Sequence, residues 1–393
     1  MSADPVVILS ARRTPVGAFQ GAFATVTAPQ LGAVAIRAAL QDSGLAGTDI
    51  DEVIMGCVLS AGLGQAPARQ AALAAGLPVR TPSTTVNKMC GSAMRAIMLA
   101  ADQILAHSAQ AIVAGGLESM SNAPYLLPKA RSGYRMGHQQ VLDHMFLDGL
   151  QSPWDGQLMG CFAETTCGKY AFSRQQQDDF AAESVRRAVA AIDNGAFTAE
   201  VAPVTAKTRR GDLVVTTDET PSTLDVSKIP TLKAAFGNNG TVTAASSASI
   251  SDGAAALVLA RQSFATAMGV APLARILGYS SFALEPEWFT LAPVGAIQKL
   301  LDQLGWRAAD VDLYEINEAF AVVAMAAIRE LGLDPARVNV NGGACALGHP
   351  IGATGARILT TLIYALRNRG KQRGIASLCI GGGEATAMAI ELL

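Results

Sequence analysis

Apolar and polar positions along the chain follow two rhythms that recur in the same order. Val6–Ser10 is a short continuous apolar run, as expected of a strand buried on both faces. Ala33–Gly44 (AVAIRAALQDSG) places its apolar residues on one helical face, and Asp49–Val58 (DIDEVIMGCV) reads as the strand that follows. From Ala33 to Val294 is a shift of 261 positions, and there the order returns: Val294–Gly305 (VGAIQKLLDQLG) reads as a helix and Asp310–Ala319 (DVDLYEINEA) as a strand. Three further correspondences keep the order. Val86-Asn87 leads to Cys90 and a helix, as Val340-Asn341 leads to a glycine-rich turn and a helix. Ala111–Ser119 matches Leu378–Ala385, and Asp252–Ala260 matches Glu384–Leu392. Repeats in one order predict two similar α/β halves.

The helices are defined by their faces. Apolar residues at 93, 94, 97, 98, 101, 104 and 105 mark one beginning near Cys90, and Ile358, Leu359, Leu362, Ile363 and Leu366 mark another that Gly370 closes. Residues 121–240 break the pattern, being richer in charge and turns. Within them Ser173 and Gln176 resemble a capping box, predicting a helix up to Gly195. We expect residues 1–120 plus 241–270 to form the first half, 271–393 the second, and 121–240 an insertion lying over the sheets. Insertions of this length usually serve as lids or binding loops.

Composition narrows the class. The 393 residues are 50% hydrophobic but only 16% charged, against about 25% in ordinary soluble chains, so burial easily offsets chain entropy and disorder is excluded. A net charge of −2 gives no basis for a nucleic-acid or anionic-membrane partner. The sequence holds no apolar stretch of the ~20 residues a membrane span needs, and no basic presequence. Six cysteines without a C-x-x-C pair point away from a zinc or thioredoxin-type motif and towards free thiols in a reducing cytoplasm. No metal site is expected.

Four clusters carry candidate chemistry. Cys90, in VNKMCGSAM, sits at a strand-to-helix turn where a helix N-terminus favours thiolate, and Gly91, Ser92 and Ala93 leave room for approach to the sulfur. His349 lies between Gly348 and Pro350 in a loop with Gly342, Gly343, Gly352 and Gly355, ahead of a helix; no phosphate-loop lysine accompanies it. Cys379 precedes Gly381, Gly382 and Gly383, a run that lets backbone N–H groups face a cavity. Asn317-Glu318 ends an apolar strand, where unpaired polar groups are costly. Taken singly, each cluster is also compatible with plain packing.

In sequence, VNKMCGSAM, NEAF, NGGACALGHPIGATG and CIGGG resemble the thiolase family, in its acetyl-CoA C-acetyltransferase branch, and the similarity runs from the first strand to the last residues. The resemblance implies a duplicated, five-layered αβαβα core with an inserted loop domain, in a homotetramer or homodimer. It implies that Cys90 carries the acyl group, that His349 takes the proton of Cys90, and that Cys379 is the second acid/base. Asn317 with His349 is expected to serve one oxyanion hole, through a water, and the N–H groups of Cys90 and Gly381 the other. It further implies acetyl-CoA, acetoacetyl-CoA and CoA as ligands, with no permanently bound cofactor. Leu150, Met159, Phe236, Ala244, Ser247, Phe289 and Phe320 are the positions expected against the substrate.

The chain departs from the family pattern in Leu158-Met159-Gly160, where a His usually leads the triplet, in Ser246-Ser247-Ala248, and in Phe289, where Met is common. The loop around Asp218–Lys228 is shorter and lacks an Arg that often meets CoA phosphates. These bear on acyl-chain range and CoA contact, so a broader 3-ketoacyl-CoA range is the alternative. Carrier-protein ketoacyl synthases use two His where this chain has His349 and Cys379. A silent scaffold would not need Cys90, His349 and Cys379 together.

Overall fold

The computed structural model describes residues 4–209, 211–237 and 239–393. The first half runs β1 (Val6–Arg13), α1 (Ala28–Ser43), β2 (Glu52–Gly56), α2 (Pro67–Ala75), β3 (Ser83–Val86), α3 (Ser92–Leu105) and β4 (Ala111–Ser119). The insertion follows with α4 (Met159–Tyr170) and α5 (Arg174–Asp193), after which β5 (Ser251–Arg261) returns to the sheet. The second half is β6 (Ala274–Ala283), α6 (Ala292–Leu304), β7 (Leu313–Ile316), α7 (Ala321–Leu331), α8 (Thr354–Asn368), β8 (Arg373–Ile380) and β9 (Glu384–Leu392).

The strands lie in the order β7-β8-β9-β6-β1-β5-β4-β2-β3, with the two-residue strand Gly17–Ala18 on β5. The strands of the two halves pair where Val7 and Ile8 of β1 face Arg275 and Ala274 of β6. In each half the strand that precedes an outer helix pairs in parallel, β2 with β4 and β7 with β8, and the last two strands pair antiparallel. The match of Val86-Asn87 with Val340-Asn341 has an unequal outcome. In the first half the segment is strand β3, parallel to β2; in the second it shrinks to a single parallel bridge between Val338 and Tyr314.

The side-chain alternation of the strands builds the layers. On β5, Ala255, Leu257 and Leu259 join a core with α3 and α8, while Ala254, Ala256, Val258 and Ala260 face α1 and α2. The second sheet does the same: Leu378, Met388 and Ile390 meet α3 and α8, while Ile375, Ala387 and Ala389 meet α6 and α7. The result is α1/α2, sheet, α3/α8, sheet, α6/α7. Because helices cover both faces, β5 is apolar at every position from Ala254 to Ala260 rather than at alternate ones.

The expected capping box forms: Ser173 Oγ accepts from Gln176 N (3.2 Å), Gln176 Oε1 accepts from Ser173 N (2.9 Å), and α5 runs to Asp193. Helix α4 was not legible, because Gly160, Thr165, Thr166 and Gly168 are poor helix formers. The insertion is tied to the first strand by charge. Arg13, fully buried, donates to Glu200 (2.5 Å) and, through both terminal nitrogens, to Asp218 (2.7 and 2.9 Å). No helix among the described residues is long and apolar enough to cross a membrane.

Candidate active site

Cys90 stands on a tight turn between β3 and α3. Asn87 Oδ1 accepts from Met89 N (2.9 Å), Gly91 N donates to Lys88 O (3.0 Å), and Ser92 Oγ both accepts from Lys88 N (2.8 Å) and donates to Met89 O (2.6 Å). This mesh holds Met89 at φ +48, a left-handed conformation a methionine rarely adopts, immediately before the thiol. Gly91 does not open space at the sulfur as its size suggests. A Cβ there would lie 2.4 Å from Ile380 Cδ1, so its smallness admits the neighbouring strand β8.

The thiol is not activated at rest. Burial pushes Cys90 up to about 11, helped by the carboxylate of Glu118, while hydrogen bonds from the N–H groups of Gly381 and Cys90 itself pull the other way. The expectation that the helix start would favour thiolate is therefore overturned: α3 begins only at Ser92, and desolvation outweighs the fixed dipoles. A base is needed.

His349 lines the same cavity as Cys90. It is 7% exposed, and burial, with the positive charge of Arg357, lowers it to about 3, so the ring is neutral across the physiological range. Its Nδ1 lies 2.6 Å from Thr354 Oγ1 and 3.5 Å from Asn317 Nδ2. Its Nε2, and Oδ1 of Asn317, are buried with no protein partner. Two unpaired acceptor atoms on adjacent side chains suit a bound water, which can donate to both. Cys379, on β8 opposite Ala385 of β9, is wholly buried, and burial together with the neighbouring Cys90 raises it well above an ordinary thiol.

One cavity brings Cys90, His349 and Gly381 together with Leu150, Met159, Phe289 and Phe320, all expected from the sequence. Phe320 stands edge-on to Phe289 (centroids 6.3 Å apart). Asn317 and Cys379 sit behind this wall, the first against His349 and the second close to Cys90. Three expected positions are not in the lining. Phe236 backs Phe320 edge-on at 5.9 Å and faces a separate groove with Cys167 and Gly240. Ala244 is exposed, and the Ser247 hydroxyl is turned to Thr243 O (2.8 Å). Their place is taken by Ala248, Ser249 and Ile250, a few residues on. Met120 and Ile351 also line it and gave no signal in the sequence beyond apolarity.

Glu118 was also missed. At the end of β4, it is fully buried without a cation and accepts backbone N–H bonds from Val58 (3.0 Å), Leu59 (3.1 Å) and Gly352 (2.8 Å). One carboxylate thus joins loops of both halves beside the cavity. Burial raises it to about 7 against the pull of those donors. The signal available was an acid ending an otherwise apolar strand. Glu318, by contrast, serves packing: it accepts from Ser184 Oγ (2.7 Å), Asn339 Nδ2 (2.8 Å) and Cys345 N (3.1 Å), fastening α5 to the glycine-rich loop. Among the described residues, no group of three or more His, Cys, Asp or Glu is placed to hold a metal ion.

Residues 6–263 match the family model for the thiolase N-terminal domain, and residues 270–392 the model for the thiolase C-terminal domain. The chain belongs to the thiolase family. Curated relatives of this thiolase include an acetyl-CoA acetyltransferase of Escherichia coli, 50% identical over 389 residues, covering 98% of this chain and 99% of the relative. Another, from Pseudomonas aeruginosa, is 48% identical over 387 residues and covers 98% of each. Among solved structures, a thiolase from Ascaris suum in complex with coenzyme A superposes with a TM-score of 0.94 at 44% identity, covering 99% of this chain and 100% of that one. The Bacillus anthracis acetyl-CoA acetyltransferase superposes with a TM-score of 0.97 at 41% identity, covering 99% of each. The five-layered core of this thiolase is thus the family's fold.

Proposed function

We propose that the protein is an acetyl-CoA C-acetyltransferase, condensing two acetyl-CoA molecules reversibly to acetoacetyl-CoA and CoA through an acyl group on Cys90. The observation that carries this reading is the single cavity shared by Cys90, a His349 with an open Nε2, and the N–H of Gly381, with Cys379 alongside. The relatives' names support the same reaction.

In the first half-reaction the Cys90 proton passes to His349 Nε2 as the sulfur attacks the acetyl carbonyl. The N–H groups of Cys90 and Gly381 hold the resulting oxyanion; one such donor is typically worth on the order of 10²–10³ in rate. Collapse expels CoA thiolate, which takes the Cys379 proton. The resulting Cys379 thiolate then removes a methyl proton from the second acetyl-CoA. A water held by Asn317, together with protonated His349, stabilises the enolate, which attacks the Cys90 thioester. Collapse leaves a Cys90 thiolate that regains its proton from His349. Both thiols, raised by burial, are protonated at rest, which suits a donor to the leaving group and makes the hand-off to His349 necessary.

CoA thioesters enter as substrates, and no cofactor stays bound between turnovers. The insertion supplies Gly149, Leu150 and Met159 to the cavity wall, supporting a role as a lid over the pantetheine arm. Its exposed Leu127, Met136 and Val141 support assembly into a homotetramer or homodimer. A cytoplasmic location fits the six unpaired thiols.

The test is consumption of acetoacetyl-CoA with CoA, followed by loss of enolate absorbance. Cys90→Ser should abolish it; wild-type turnover in that variant rejects the nucleophile. Cys379→Ser should trap an acyl adduct on Cys90 by mass spectrometry while turnover collapses.

A further inference from the structure

Thr354 is the first residue of α8, and its hydroxyl oxygen lies between two groups. It is 2.9 Å from the carbonyl oxygen of Pro350, four residues earlier, and 2.6 Å from His349 Nδ1. A hydroxyl has one proton to give. Back-bonding to the i−4 carbonyl is its ordinary use at this place in a helix, and that leaves an oxygen lone pair facing Nδ1. Nδ1 then carries the ring hydrogen and Nε2 the lone pair. Asn317 Nδ2 is also a donor, but at 3.5 Å it lies at the far limit of hydrogen bonding, so the 2.6 Å contact with Thr354 decides where the Nδ1 hydrogen sits. Nε2 is buried, without a partner, on a residue that lines the cavity with Cys90.

We infer that Thr354 is a positioning residue for the base: it fixes His349 as the Nδ1–H tautomer, so that the Nε2 lone pair faces the cavity and can take the Cys90 proton. This rests on the reading of His349 as proton acceptor. The arrangement serves both states of the ring. When Nε2 gains a proton, the Nδ1–H to Thr354 bond is retained and the positive charge gains an oriented acceptor. No proton moves at Nδ1 during the cycle. Partners that orient a functional imidazole in this way typically matter by about 10–100-fold when removed.

The experiment combines kinetics with ¹⁵N NMR of histidine-labelled protein near neutral pH, the His349 ring signals being assigned by their loss in His349→Asn. Wild type and Thr354→Ser should show an unprotonated Nε2, with Thr354→Ser keeping kcat within about threefold. Thr354→Val, which preserves shape but not the acceptor, should populate the Nε2–H tautomer and lower kcat by roughly 10–100-fold with KM nearly unchanged. An Nε2–H signal in the wild type, or an unshifted tautomer in a folded Thr354→Val, overturns the inference. The wild-type spectrum decides the tautomer even if the valine variant fails to fold. An Nδ1–H ring in an enzyme with no thiolysis would leave Thr354's role standing and reject the proposed reaction instead.

Discussion

Gly116 is one place where the two halves press close together. A Cβ on it would lie 2.1 Å from the carbonyl oxygen of Gly352, 2.7 Å from Ala93 Cβ and 2.9 Å from Ala353 Cα. Two of these neighbours are backbone, so no side chain can rotate away. Ordinary contact requires the Gly352 segment to retreat by about 1 Å in a core packed at crystal-like density. Gly352 is three residues after His349, and Ala93 three after Cys90, so the added methyl is a wedge between the segments that carry the proposed nucleophile and base. A misplacement of about 1 Å can cost on the order of 10² in rate, and overpacking of this kind costs about 1–3 kcal/mol. In a chain of this length that is about 1–4 °C in Tm. Gly116→Ala should therefore remain folded, lose a few degrees, and lose roughly 10–100-fold in kcat with little change in KM, measured by acetoacetyl-CoA thiolysis beside thermal unfolding. Gly168→Ala is the control, since in α4 nothing lies within 4 Å of its would-be Cβ. Wild-type kcat and Tm in Gly116→Ala would refute the wedge.

Other expectations concern charge and shape. Burial raises Glu315 to about 8, only partly opposed by Arg357, so ionising it costs stability as pH climbs from about 4.5 to about 8. Glu315→Gln should flatten Tm against pH in that window; an unchanged profile contradicts the assignment. Phe289→Ala should open the wall beside Phe320 and raise kcat/KM for longer 3-ketoacyl-CoA substrates relative to acetoacetyl-CoA, at a cost of about 3–5 kcal/mol in stability. No gain with chain length would show that the ring does not limit the pocket. Cys90, raised to about 11, should react with iodoacetamide about tenfold faster per pH unit between pH 7 and 9 in the free enzyme. A plateau below pH 8 would mean a thiolate already present.

The sequence made the repeat legible because each half writes the same helix faces and apolar runs, and the layers of α3 and α8 follow from them. Cys90, His349, Asn317 and Cys379 stood out because polar or reactive residues interrupted apolar strands and glycine turns. What stayed hidden depends on contacts distant in sequence. Glu118 gains meaning only when Gly352, 234 residues away, donates to it. Thr354 looks like one more helix residue until His349 folds back on it. Phe236 and Ser247 lie near the right loop, but an edge-on ring contact and a local hydrogen bond turn them from the cavity, and Ala244 faces solvent. The ionisation of Cys90 was misjudged because a helix start is visible in sequence and desolvation is not.

The two turns that deliver Cys90 and His349 occupy equivalent places in the repeat, each following a Val-Asn pair and leading into a central helix. An ancestor assembled from two copies of one half would already have brought two such turns face to face. With the copies joined in one polypeptide, the two turns can hold different residues, here Cys90 on one and His349 on the other. Asymmetric chemistry then needs no new architecture, only a different residue at each end of an inherited symmetry.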